Sequence, residues 1–163
     1  MKAPRGYRDE FLITKEYNYL DNAGLSPLPI SVIKASSLFM EERSEIGAMN
    51  YFDSWEGMRN RVAEGFGDLI NAHPDELAFT MNTHDGINTV ANMVDWRDGD
   101  NVILNDLEFP ANSFPWGHQR KHGVEIRVVE SKGGGVYPED IEALIDDRTR
   151  GIALSHVAFI NGF

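Results

Sequence analysis

The chain has 163 residues, no cysteine and a formal net charge of −11. That length suits one sizeable hydrophobic core, and the missing thiols exclude a disulfide scaffold, a thiolate metal site and a cysteine nucleophile within these residues. The acidic balance argues against nucleic acid or an anionic membrane as the main partner, since phosphate binding rests on Lys and Arg.

No apolar run approaches the ~18–20 residues of a membrane span, and the opening MKAPRGYRDEF lacks the apolar core of a secretory signal. The expected location is cytoplasmic. Residues 1–28 read as mostly irregular, with a short strand at Tyr19-Leu20 entering the turn DNAGLSPLP. Pro27 and Pro29 flank the entry to a helix over 29–46, and Gly47 supplies its stop. A second helix is predicted over 51–70. Its residues Phe52, Trp55, Met58, Val62, Phe66 and Leu69 recur at spacings of three and four, one apolar stripe expected to face a core. The first 50 residues then form an arm and first helix, and 51–163 the first part of a larger α/β domain.

Beyond His73-Pro74 the pattern changes. Strands are predicted at 76–81 (ELAFTM), 101–105 (NVILN), 124–129 (VEIRVV) and 151–157 (GIALSHV), alternating with helices near 84–94, 112–122 and 138–146. Strands joined by helical crossovers imply an α/β fold with a mainly parallel sheet flanked by helices. Ligands of such sheets sit beyond the carboxyl ends of the strands, so three turns matter: after Met81, after Leu104 and after His156.

In the first turn, Asn82 or Thr83 can cap the following helix, and Asp85 in its first turn suits the positive end of the helix dipole. The same turn can serve as an anion site. Backbone N–H groups of Thr83 to Gly86 would face outward, with the Thr83 hydroxyl and the His84 imidazole as further donors and Gly86 permitting close approach. Asp85 tells against a dianion on the axis unless its carboxylate folds back toward the cap. Both readings fit these residues. In the second turn Phe109 precedes Pro110 and is biased toward extended backbone, where its ring could lie against a planar heterocycle; equally, Phe109 and Phe114 could be lids of the core. The third turn adds Phe159 and Asn161-Gly162, a further ring and a polar contact.

Other features read as structural. His118 and His122 stand four apart on a predicted helix, but Gln119-Arg120-Lys121 between them supply two cations and no acid, and no metal site is expected. The glycine-rich SKGGGVYP (131–138) lacks a GK[ST] sequence and reads as a turn. Asp98, Asp100, Asp106 and Glu108 read as ordinary turn residues, and Glu41, Glu42, Arg43 and Glu45 as a solvated face.

Four stretches, in order, resemble one family. YLDNAGLSPLP (19–29), FTMNTHDGINTVAN (79–92), LEFPANSFPW (107–116) and SHVAFINGF (155–163) are similar to the amino-terminal part of class V aminotransferase-like enzymes. These are pyridoxal phosphate (PLP) enzymes of fold type I, among them cysteine desulfurases, isopenicillin N epimerase and kynureninase. The resemblance implies that Thr83 and His84 hold the cofactor phosphate, His84 through its backbone N–H. It implies that Phe109 stacks on the pyridine ring and that Asn22, Ala23 and Gly24 border a small amino-acid substrate. Desulfurases carry a stacking histidine where this chain has Phe109, which keeps the ring and loses the acid–base group. Where they place an asparagine near the cofactor hydroxyl, this chain has Phe159.

PLP chemistry also needs a lysine that holds the cofactor and an aspartate at the pyridine nitrogen. In this family both lie beyond the segment matching Phe163, and none of Lys2, Lys15, Lys34, Lys121 and Lys132 occupies a catalytic position. The chain is therefore expected to be the front portion of a longer, homodimeric enzyme, carrying half a site. Transamination, desulfuration or β-elimination, and epimerisation all remain open. The alternative is a non-catalytic α/β module that binds a phosphorylated ligand or a protein partner. Taken alone, the 163 residues are expected to aggregate or remain partly unfolded, because a half-finished sheet leaves edges and apolar faces uncovered.

Overall fold

The computed structural model describes residues 6–49 and 51–163. They fall into two compact units, one ending at Leu77 and the other beginning at Ala78.

Unit 1 is helical. After short 3-10 turns at Tyr7–Glu10 and Leu12–Lys15 comes one turn of helix, α1 (Asn22–Leu25), then α2 (Ile30–Ile46). Asp21 caps α1 by accepting the Gly24 N–H at 3.2 Å. The predicted strand at Tyr19-Leu20 is absent. Leu20 is largely exposed, and the Tyr19 hydroxyl instead donates to the Leu25 carbonyl at 2.6 Å, closing the chain on itself. Pro29 sits at the N-cap of α2, and Gly47 ends the helix with a positive φ of 63°. Proline has no side-chain acceptor, so Glu10, far upstream, accepts the Ser31 N–H at 2.9 Å in its place. That bond holds the Glu10 carboxyl below its ordinary pKa.

Residues 22–46 are, by length and composition, one stretch apolar enough to cross a membrane, with a mean hydropathy of 1.2 over its window. Sequence inspection misses it because Ser, Gly and Pro interrupt the Leu, Ile, Val, Phe and Met that carry the average. The non-helical Ser26–Pro29 segment divides it, and α2 alone, 17 residues long, reaches only ~25 Å at 1.5 Å per residue.

A π-helical turn, Tyr51–Trp55, leads into α3 (Glu56–Ile70). Trp55 packs on Phe39 of α2 with ring centroids 5.0 Å apart. The helix predicted over 51–70 therefore forms, but much of its stripe is exposed, at Phe52, Met58, Val62 and Leu69. Periodicity shows that a helix has an apolar face and not that a partner covers it. Asn71 ends α3 in the left-handed region (φ 58°), and the Ala72 N–H returns to the Gly67 carbonyl at 3.0 Å. Gly67 is required there, since a Cβ would lie 2.6 Å from the Ala72 carbonyl oxygen.

Unit 2 holds the core. Its elements run α4 (Thr83–Met93), β1 (Asn101–Asn105), α5 (Pro110–Gly117), β2 (Glu125–Val129), α6 (Pro138–Glu142) and β3 (Thr149–Ile152). The three strands form a parallel sheet in the order β2-β1-β3, with Val102 opposite Ile126 on one side and Gly151 on the other. The α/β fold with a parallel sheet and flanking helices is as the strand–helix alternation implies. The first predicted strand, 76–81, is not one. It begins as a 3-10 turn at Pro74–Glu76 and continues as irregular chain outside the sheet, in which Met81 is exposed. A strand exists only with a ladder partner, and this segment finds none among the described residues. The last predicted strand, 151–157, begins two residues earlier and ends at Ile152. Ala153 still donates to the Ile103 carbonyl, after which Ser155 is drawn away by a side chain from another loop.

β1 is central and buried from Asn101 to Leu104. Val102 and Leu104 pack with Ala91 and Ile87 of α4, Trp96, Trp116 of α5, Val124, Ile126 and Ala153. Asn101, wholly buried, is satisfied: it donates to Asp146 and accepts from the Thr149 hydroxyl, each at 2.9 Å. Arg127 bridges Asp146 at 2.8 Å at the same amino end of the sheet.

Candidate functional site

The parallel sheet sends three chain segments out of its carboxyl edge: 105–109 after β1, 130–131 after β2 and 153–155 after β3. Two carboxylates from the first segment tie the other two to it. Asp106 accepts the Ser131 N–H at 3.0 Å and the Ser131 hydroxyl at 3.1 Å. Glu108 accepts four donors. On one oxygen are the Asn105 amide at 2.8 Å and the Ser155 N–H at 2.6 Å; on the other, the Asn112 amide at 2.8 Å and the Ser155 hydroxyl at 2.7 Å. Partial burial pushes the Glu108 carboxyl up, but the donors from Asn112, Ser155 and Asn105 outweigh it and hold the pKa below the ordinary glutamate value. Sequence reasoning set both acids aside as turn residues. The four-residue spacing from Glu108 to Asn112 on a helix start was a legible signal; the partner 47 positions away was not.

Beneath this edge lies a cavity of about 110 Å³, lined in part by Asn105, Glu108, Ser155, His156 and Phe163. Two rings follow directly in sequence on its lining residues Glu108 and Ala158. Phe109 is the N-cap of α5, with extended backbone (φ −67°, ψ 142°), as the following proline dictates. Its ring meets Phe159 edge-to-face, with centroids 5.1 Å apart and planes at 87°. Both rings are about half exposed, Phe109 at 51% and Phe159 at 55%, so neither is a closed lid.

The turn at 82–86 forms the start of α4. Asn82 is the cap: its Oδ1 accepts the Asp85 N–H at 2.9 Å, and its amide donates to the Asp85 carboxylate at 3.1 Å. The carboxylate is thus folded back on the cap. Gly86 donates to the Asn82 carbonyl. The N–H groups of Thr83 and His84 make no hydrogen bond among the described residues, and both side chains are exposed. At the start of α2 Glu10 takes the Ser31 N–H, whereas the start of α4 retains two open donors at the positive end of the helix dipole. Gly86 does not open the site. Its bare Cα faces the Thr80 hydroxyl, 3.3 Å from where a Cβ would sit.

α4 and α5 pack together, so the helix opened by Thr83 neighbours the helix capped by Phe109. No hydrogen bond or ring contact joins Thr83 or His84 directly to Phe109 among the described residues. Asn161 is spent on structure: its amide donates to the Gly134 carbonyl at 2.7 Å, and its oxygen accepts the Phe163 N–H at 3.1 Å. Gly133 and Gly134, both with positive φ, form the tight turn that receives it, and the Phe163 ring lies against Gly135 and Tyr137. Asn22, Ala23 and Gly24 form the exposed turn α1 in unit 1. A Cβ at Gly24 would approach the Asp21 carboxylate to 2.6 Å, so a larger residue there would displace the cap. Residues 118–122 form a 3-10 turn, in which positions four apart do not share a face, and Lys121 contacts the His118 ring at 2.9 Å.

These residues fit a phosphate-bearing planar cofactor in their donor chemistry: open N–H groups and a hydroxyl at a helix start, and an accessible ring at the sheet edge. Comparison with known proteins gives the family. Residues 18–163 match the family model for aminotransferase class V. A probable cysteine desulfurase of Methanothermobacter thermautotrophicus is 34% identical over 155 residues, covering 93% of this chain and 39% of that protein. A cysteine desulfurase of Salmonella dublin is 35% identical over 160 residues, covering 88% of this chain and 38% of its own. The chain thus spans about two-fifths of the length of the curated relatives it matches. Among solved structures, a lysine-to-alanine mutant of C-DES with glycine covalently linked to its PLP cofactor superposes with a TM-score of 0.84 at 20% identity, over 93% of this chain and 41% of that one. The apo cysteine desulfurase of Thermococcus onnurineus NA1 gives 0.75 at 24% identity, over 98% and 41%.

Proposed function

The chain belongs to the aminotransferase class V family, and on that premise we propose that it is the front part of a PLP-dependent enzyme acting on a small amino acid. The observation that carries the reading is the start of α4, where the Thr83 and His84 N–H groups stay open while Asp85 is turned into the cap. In this proposal those two N–H groups and the Thr83 hydroxyl bind the cofactor phosphate, and Phe109 offers its ring to the pyridine. Asn22, Ala23 and Gly24 border the substrate. PLP, when bound, supplies an electron sink for the pair released at the substrate Cα. Residue 109 orients and excludes water but moves no proton, so acid–base work falls to other groups. The relatives are named for desulfurating cysteine, which makes cysteine the first substrate to try, with β-elimination and transamination read in the same assay. The proposal includes a homodimer in the cytoplasm.

The test is borohydride reduction of the native polypeptide after incubation with PLP, followed by peptide mapping. One pyridoxyl group on a lysine outside these 163 residues is expected; a native protein without an adduct sinks the reading. Within the phosphate site, Thr83→Val should weaken PLP binding about ten- to a hundredfold, the scale of one hydrogen bond to a charged group. His84→Ala keeps its N–H and should change binding less than about twofold, checked by titrating the apo protein.

A further inference from the structure

We propose that Glu108 is a positioning residue whose four-donor clamp fixes the Phe109–Phe159 ring pair against which the cofactor would lie; this rests on the PLP reading above. Half-exposed rings take little of their position from packing, because solvent replaces neighbours on one side. Their backbones must therefore be held. Glu108 is bonded in sequence to Phe109, and Ser155 lies four residues before Phe159. The Glu108–Ser155 bonds, at 2.6 and 2.7 Å, join those two segments directly. Asn105 and Asn112 fix the carboxylate to the end of β1 and the first turn of α5. The other end of the Phe159 turn is held by Asn161 on Gly134 and by the Phe163 ring. Phe159 thus sits in a loop pinned at both ends, and one pin is Glu108.

Every group facing the carboxylate is a donor, and its four acceptor positions are filled. It is a clamp and is not free to act as a base. The same arithmetic yields a discriminating variant. Glu108→Gln keeps the shape and loses the charge: with its oxygen on the Ser155 N–H, its NH₂ faces the Asn112 amide and the Ser155 hydroxyl, both of which must turn round to accept. A residue needed only for packing would tolerate it.

The experiment uses the full-length polypeptide in its apo form, with PLP as the probe. For Glu108→Gln we expect PLP affinity to fall at least tenfold, a changed visible circular dichroism of bound PLP, and loss of the Phe109–Phe159 ring cross-peaks in NMR of the apo protein. Asp146→Asn, at the opposite end of the sheet, should lower Tm while leaving affinity within twofold and the cross-peaks intact. Unchanged affinity and persistent cross-peaks in Glu108→Gln overturn the proposal. Should that variant not fold, Ser155→Ala removes a single hydroxyl donor and is expected to weaken PLP binding about threefold; no change overturns the proposal equally. Absence of PLP binding by the wild type overturns the cofactor reading instead, and the cross-peaks then decide the clamp alone.

Discussion

Units 1 and 2 both carry amphipathic helices, and they bury them very differently. In unit 2, Ile87 and Ala91 of α4 lie on Val102 and Leu104 of a parallel sheet. In unit 1, Gly67 is the one buried residue among those described, and much of the apolar stripe of α3 meets solvent. The periodicity is the same in both. What differs is a sheet to pack against, and helices in proteins gain most of their stability from such packing. The difference separates what the chain builds for itself from what it offers for covering.

The largest effect that sharpens this contrast is a paired truncation in the native polypeptide. Ile103→Ala, in fully buried β1, should cost ~2–5 kcal/mol in urea denaturation. Leu69→Ala, at 72% exposure, should stay within ~0.5 kcal/mol. Equal costs would mean that the α3 stripe is covered in solution, and the contrast would break. Next in size is association. With Leu38, Met40, Val62 and Leu69 exposed, the isolated chain should self-associate at micromolar concentration, as seen by light scattering. A double variant, Leu38→Lys with Leu69→Lys, should shift it toward monomer. A wild-type monomer that unfolds cooperatively refutes that expectation.

The smallest effect is electrostatic and confined to unit 2. Bonds from Arg127, Asn101 and the Arg148 backbone bring the Asp146 pKa from its ordinary 3.8 to about 2. A carboxylate depressed on folding stabilises above its unfolded pKa, so this contribution is complete above about pH 4 and is lost as pH falls toward 2. Asp146→Asn should flatten the Tm profile in that window. Because the carboxylate is solvent-exposed, the change should shrink with added salt.

Local signals were the legible ones. Pro29 and Gly47 bracket α2, Asn82 caps α4, and Pro110 sets Phe109 extended, each through a residue acting on its immediate neighbours. The open donors at Thr83 and His84 follow from the same helix-start geometry. What failed depended on distant partners. ELAFTM has a strand composition but no ladder, much of the α3 stripe is exposed, and Asn161 is bound to Gly134. Glu108 escaped notice for that reason too: its role is set by Ser155, and no spacing rule connects positions 108 and 155.

The strand order has a consequence in time. β1, the most buried strand, is made first and flanked by β2 and β3, both made later. During synthesis its second neighbour is complete only when Ile152 emerges, 47 residues after Asn105 (152 − 105), which at ~5–20 residues per second is a delay of about 2–10 s. Until then Val102, Ile103 and Leu104 have at most one ladder partner, β2, and one open apolar edge on a nascent chain. The segment that most needs shelter in the finished protein is the one that must wait longest for it, and a chaperone at the ribosome exit has those seconds in which to act.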